Sequence, residues 1–147
     1  MFGSLRNYAR RLVQSPAPAR PVLIVDDEEP VVKFVDRVLR EAGYTTATAL
    51  NGPDAVEVAK KIGPLAVLVT DVMMPGMTGD ELARVLRQSE PTLKVLYLTG
   101  YSDRLFKEKE TLWAGEAFLD KPCTMKGLRE AVSLLTSGSV GQNTKQA

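Results

Sequence analysis

Four short apolar runs, each leading into a polar residue at its carboxyl end, constrain this chain more than any other feature. The runs are Val22-Leu23-Ile24-Val25 before Asp26-Asp27, Leu65-Ala66-Val67-Leu68-Val69-Thr70 before Asp71, Val95-Leu96-Tyr97-Leu98 before Thr99, and Ala117-Phe118-Leu119-Asp120 before Lys121. Runs of this length, bounded by turn residues and alternating with helical patterns, read as buried parallel strands. In an open parallel sheet, ligands bind beyond the carboxyl ends of the strands, at the topological switch point. The pattern therefore predicts one sheet edge carrying Asp26, Asp27, Asp71, Thr99 and Lys121: three carboxylates, one hydroxyl and one ammonium.

Such a cluster has a chemical logic. Two like unit charges about 4 Å apart repel by roughly 4 kcal/mol at an effective dielectric near 20. Asp26, Asp27 and Asp71 together call for a cation beyond Lys121. Hard oxygen ligands around an open cluster suit Mg²⁺, which keeps waters and takes substrate phosphate oxygens; Mn²⁺ is the alternative. One carboxylate can then act as a nucleophile and form an aspartyl phosphate. Phosphoryl transfer asks mainly for positioning and charge neutralisation, which a cation, an ammonium and a hydroxyl donor supply. Each element alone has a plainer reading. Asp26-Asp27-Glu28-Glu29 could only cap a helix, Asp71 could be a turn residue, and Thr99-Gly100 and Lys121-Pro122 are common loop dipeptides. These plainer readings fail jointly, because every strand end supplies a group that a phosphoryl site requires.

The segments Val25-Asp26-Asp27-Glu28, Asp71-Val72-Met73-Met74-Pro75-Gly76-Met77-Thr78-Gly79, Leu98-Thr99-Gly100-Tyr101 and Phe118-Leu119-Asp120-Lys121-Pro122 resemble, in order and spacing, those of bacterial two-component response-regulator receiver domains. The resemblance covers about Pro21 to Thr136. It implies that Asp71 is the phosphoacceptor. It also implies that Asp27 and Asp71 bind Mg²⁺ together with the main-chain carbonyl of Met73, with Asp26 acting mostly through water. Lys121 would pair with the phosphate, Thr99 would bond to it and report its presence, and Phe118 stands at the family's aromatic switch position. Phe118 lacks the hydroxyl of the commoner tyrosine, so its switching would rest on packing. Met73 and Tyr101 would flank the path of the attacking water, and neither is a carboxylate or amide that would orient one.

Helical patterns fill the gaps between strands. Val31, Phe34, Val35, Val38, Leu39 and Ala42 recur at helical spacing and Gly43 supplies a stop. Tyr44–Ala49 reads as a second, more polar strand. Asn51-Gly52-Pro53 opens a second helix, and Gly79-Asp80 a short third. Ser102 or Asp103 caps a fourth, whose Lys107–Glu110 charge run is a solvated face. Leu128, Ala131, Val132 and Leu135 mark a fifth. The expectation is an α/β, flavodoxin-like (βα)₅ fold: a doubly wound, parallel, five-stranded sheet in the order 2-1-3-4-5.

The 147 residues suit one domain, 21–137, between two tails. Residues 138–147 read as a flexible polar tail. Residues 1–20 form a basic extension ending in the linker Ser15-Pro16-Ala17-Pro18. Phe2, Leu5, Ala9 and Leu12 would line one face of a short basic helix, and residues 1–14 could thereby touch a partner or an anionic membrane surface. Isolated helices this short are marginal, so a disordered extension is favoured. The net charge of +1 gives no argument for nucleic acid, and no apolar run approaches a membrane span. The lone Cys123 excludes an internal disulfide, fits a cytoplasmic location, and reads as a small buried residue rather than a redox sensor. The chain has no histidine. A phosphohistidine donor, whether histidine kinase or histidine phosphotransfer protein, must therefore be another molecule.

The initial methionine and the two tails suggest a free-standing protein. Its output would run to a protein effector through the face of the fourth helix, fifth strand and fifth helix. A phosphorelay intermediate or phosphate sink is the alternative. An aspartate-nucleophile hydrolase is disfavoured, because such enzymes place a second aspartate two residues past the nucleophile, where Met73 stands. No dedicated enzyme activity is expected beyond self-phosphorylation and autodephosphorylation.

Overall fold

Strand β1 (Val22–Val25) is buried at every position, as an unbroken apolar run in the middle of a parallel sheet must be. The computed structural model describes residues 19–100 and 115–137. After β1 come α1 (Glu29–Glu41), β2 (Thr46–Ala49), α2 (Gly52–Ile62), β3 (Val67–Asp71), α3 (Gly79–Leu86), β4 (Val95–Thr99), β5 (Glu116–Asp120) and α4 (Met125–Ser137). Helix α4 is the helix read from the sequence as the fifth. The predicted fourth helix with its Ser102 or Asp103 cap, Tyr101, most of the N-terminal extension and the C-terminal tail lie outside the described residues. The five strands pair in parallel in the order β2-β1-β3-β4-β5, as expected.

The pleat sends alternate side chains into two cores. Leu23, Val25, Leu68, Val95 and Tyr97 meet Ala55 of α2 and Leu82, Ala83 and Leu86 near or on α3. Val22, Ile24, Val67, Val69, Leu96 and Leu98 meet Val32, Val35, Val38 and Leu39 of α1 and Leu128, Val132 and Leu135 of α4. Helices thus cover both faces, which is what buries β1, β3 and β4 completely.

Helix starts follow local chemistry. Asn51 Oδ1 accepts from the Asp54 N–H at 2.8 Å and opens α2. Thr78 and Glu81 form a reciprocal capping box at the start of α3. Two strands begin later than the apolar pattern suggests. The Tyr44 N–H closes the end of α1 by donating to the Leu39 carbonyl at 3.0 Å, after Gly43 turns the chain at φ +99°, so β2 starts at Thr46. The Leu65 N–H is held by both carboxylate oxygens of Glu90 at 3.1 Å, and β3 starts at Val67.

Candidate functional site

The carboxyl ends of β1, β3 and β5 deliver the polar residues to one place. Asp26 follows β1 and is fully buried, while its neighbour Asp27 is exposed. Asp71 ends β3 and is also buried. Lys121 follows β5 and reaches back over the sheet edge. Its Nζ lies 2.8 Å from Asp26 Oδ2 and 3.2 Å from Asp71 Oδ1, with Glu28 Oε1 at 3.8 Å. The Lys121–Pro122 peptide is cis. One oxygen each from Asp26, Asp27 and Asp71 lies within 4.8 Å of the others.

The backbone is shaped around Asp71. The Thr70 hydroxyl donates to the Asp71 carbonyl at 2.9 Å, and the Gly79 N–H donates to the Val72 carbonyl at 2.7 Å. A Cβ on Gly79 would stand 2.1 Å from the Asp71 carbonyl oxygen, closer than any side chain permits. Only glycine lets the first turn of α3 pack against the end of β3.

Among the described residues, the cluster is short of positive charge. The Asp71 carboxyl is pushed up to about 7: burial raises it most, Asp26 raises it as well, and the Lys121 ammonium opposes both. Asp26 is also raised, by burial first, against the pull of Lys121 and of the Glu28 N–H that its Oδ1 accepts at 2.9 Å. Burial alone would lower the Lys121 pKa, but Asp26 and Asp71 outweigh it and raise it. Asp26 Oδ2 faces that ammonium without an aligned hydrogen bond. A buried carboxylate oxygen whose compensating cation among the described residues is a shared ammonium, beside two further carboxylates, fits a hard divalent cation. Asp26, Asp27 and Asp71 are therefore suited to hold Mg²⁺.

The remaining predicted residues lie on β4, on β5 and in the loops after β3 and β5. Thr99 ends β4, is fully buried, and donates its hydroxyl to Asp120 Oδ1 at 3.0 Å. Phe118 stacks on the buried ring of Tyr97, centroids 5.2 Å apart and planes inclined by 25°. Met73 lies two residues beyond Asp71, and its side chain is 52% exposed. Cys123 is half-buried against the α1–α4 core, and burial pushes its thiol pKa up.

Two features escaped the sequence reading. One is Asp120 as the partner of Thr99, which only the register of β4 against β5 reveals. The other is a partly buried group at the opposite end of the same two strands. There Arg87 Nη1 lies 2.8 Å from Glu116 Oε2, which also accepts from the Tyr97 hydroxyl at 3.2 Å.

Known proteins share this architecture. The response regulator receiver domain family model matches residues 22–133. The sensor kinase CckA of Brucella abortus is 36% identical over 112 residues, 76% of this chain and 12% of that protein. The sporulation initiation phosphotransferase F of Bacillus subtilis is 31% identical over 112 residues, 76% of this chain and 89% of that protein. The solved Vibrio cholerae chemotaxis protein CheY4 superposes with a TM-score of 0.71 at 28% identity, covering 80% of this chain and 98% of that one. The chain spans under half the length of several further curated relatives.

Proposed function

The chain belongs to the response regulator receiver domain family, and from that premise we propose that it takes a phosphoryl group from a phosphohistidine onto Asp71. The observation that carries this reading is the Lys121 ammonium shared between Asp26 and Asp71, with Asp27 beside them. A carboxylate oxygen of Asp71 attacks phosphorus. The P–N bond of the donor breaks and its electron pair stays with the imidazole. The donor is a histidine kinase or histidine phosphotransfer protein, since this chain has no histidine. Lys121 stands where it can leave Asp71 for a phosphoryl oxygen while staying paired with Asp26. Bound at Asp26, Asp27 and Asp71, with the Met73 carbonyl as a further ligand, Mg²⁺ would neutralise the charge gathered there. Thr99 donates its hydroxyl to the phosphoryl group.

Output then follows from a population shift, because the new phosphoryl contact favours one arrangement of Thr99 and Phe118 over another. The effector face is the segment of the predicted fourth helix together with β5 and α4. None of the described helices is long and apolar enough to cross a membrane. A phosphorelay intermediate is the second reading, favoured by the likeness to a phosphotransferase whose length the chain nearly spans.

Intact-mass measurement after acetyl phosphate treatment tests the proposal. With Mg²⁺ the wild type gains the mass of one phosphoryl group, and Asp71→Ala gains none. Equal labelling of Asp71→Ala overturns the assignment.

A further inference from the structure

Thr99 and Asp120 are register partners at the ends of β4 and β5, and the Thr99 hydroxyl donates to Asp120 Oδ1 at 3.0 Å. Thr99 is fully buried, whereas Asp120 is exposed. A hydroxyl has one proton to donate. If Thr99 serves a phosphoryl group on Asp71, it must first leave Asp120. We propose that Asp120 is a positioning residue, a latch that holds the Thr99 hydroxyl in the unphosphorylated protein and sets how much of the phosphoryl contact reaches the switch. The proposal rests on the receiver reading of Asp71.

The energetics suit a latch. Both competing acceptors are anionic, so the exchange trades one charge-assisted hydrogen bond for another. Because Asp120 is exposed, giving up the Thr99 hydroxyl costs it no more than the net worth of one hydrogen bond. The phosphoryl group carries the greater charge and wins, but by less than it would if the hydroxyl were idle. One pleat earlier on the same face of the sheet, the register partners Tyr97 and Phe118 are stacked. Release of Thr99 from Asp120 therefore loosens the β4–β5 edge next to the aromatic switch position, and couples the two.

Beryllofluoride titration with Mg²⁺, followed by amide shifts, separates the possible outcomes. Asp120→Ala should tighten the apparent beryllofluoride midpoint by roughly three- to tenfold, the worth of one hydrogen bond. Asp120→Asn, which keeps an acceptor of lower charge, should fall between. In a Thr99→Val background the same Asp120→Ala change should do nothing. In the absence of beryllofluoride, the three-bond couplings of the Thr99 methyl should report one rotamer in wild type and averaging in Asp120→Ala. An unchanged midpoint in Asp120→Ala overturns the latch. So does a change that persists in Thr99→Val, which would mark plain charge repulsion. A wild type that shows no saturable response to beryllofluoride and Mg²⁺ overturns the receiver reading, and the latch with it.

Discussion

Two charged groups, one buried and one partly buried, sit at opposite ends of the same sheet, and they are built in opposite ways. At the amino ends of β4 and β5, Arg87 and Glu116 pair at 2.8 Å. The Arg87 Nε and Nη2 donate to the Leu93 carbonyl, and the Tyr97 hydroxyl donates to Glu116. Charge matches charge and the guanidinium fork is used in several directions. Among the described residues at the carboxyl ends, Asp26, Asp27 and Asp71 gather beside the Lys121 ammonium, a buried oxygen lacks an aligned donor, and Asp71 is pushed up to about 7. A balanced group holds a fold together. An unbalanced one has room for a charge that is still to come, and such perturbed clusters mark functional sites.

The largest expected effect lies at the balanced end. Glu116→Ala leaves Arg87 without its carboxylate in a site where both side chains are nearly enclosed. Denaturant unfolding should show a loss of about 3–5 kcal/mol. A loss under about 1 kcal/mol, the worth of an exposed pair, would erase the distinction between the two ends.

The unbalanced end should respond with the opposite sign. In Mg²⁺-free buffer, Asp71→Asn removes a repelled charge and should stabilise the protein. The folded Asp71 carboxyl keeps its proton up to about pH 7, against an ordinary value of 3.8. Between those values the native state holds more protons than the unfolded chain, so the wild type loses stability as pH rises through that window. Asp71→Asn escapes this loss. Its advantage should be small near pH 4 and reach at most about 4 kcal/mol at pH 8. Thermal melts of both proteins across that range check the sign.

The smallest effect is that of the cation. Mg²⁺ at about ten times its dissociation constant should add roughly 1.4 kcal/mol to the wild type. Asp27→Ala should lose more of this gain than Asp26→Ala. Asp26 is already engaged by Lys121 and the Glu28 N–H, while Asp27 is exposed and available. Equal loss in the two variants, read from Mg²⁺-dependent melts, would contradict this division of roles.

The same contrast explains what could be read from the sequence. Asp26, Asp71, Thr99 and Lys121 were legible because each follows an apolar run, and strand ends in a parallel sheet converge whatever lies between them. Strand order followed from the same pattern and the family likeness. The Arg87–Glu116–Tyr97 group was not legible, since Arg87 caps α3 and meets Glu116 only through the tertiary register. Nor was the Thr99–Asp120 bond, because a strand's last residue shows no partner until its neighbour is placed. The short helix reads from the sequence as opening at Gly79-Asp80, where it does begin; the Thr78-Gly79-Asp80-Glu81 spacing adds the capping box at Thr78. Tyr44 and Leu65 read as strand for their side chains, but their N–H groups were committed elsewhere.

The central claim is that Asp71, in a cluster that calls for a cation, accepts the phosphoryl group. The most direct measurement is to trap it where it forms. After incubation with acetyl phosphate and Mg²⁺, borohydride reduces an aspartyl phosphate to homoserine, and peptide mass mapping locates the reduced residue. The account predicts homoserine at position 71 alone, dependent on Mg²⁺. Homoserine at Asp26, Asp27 or Asp120, or none anywhere in a folded wild-type protein, would contradict it.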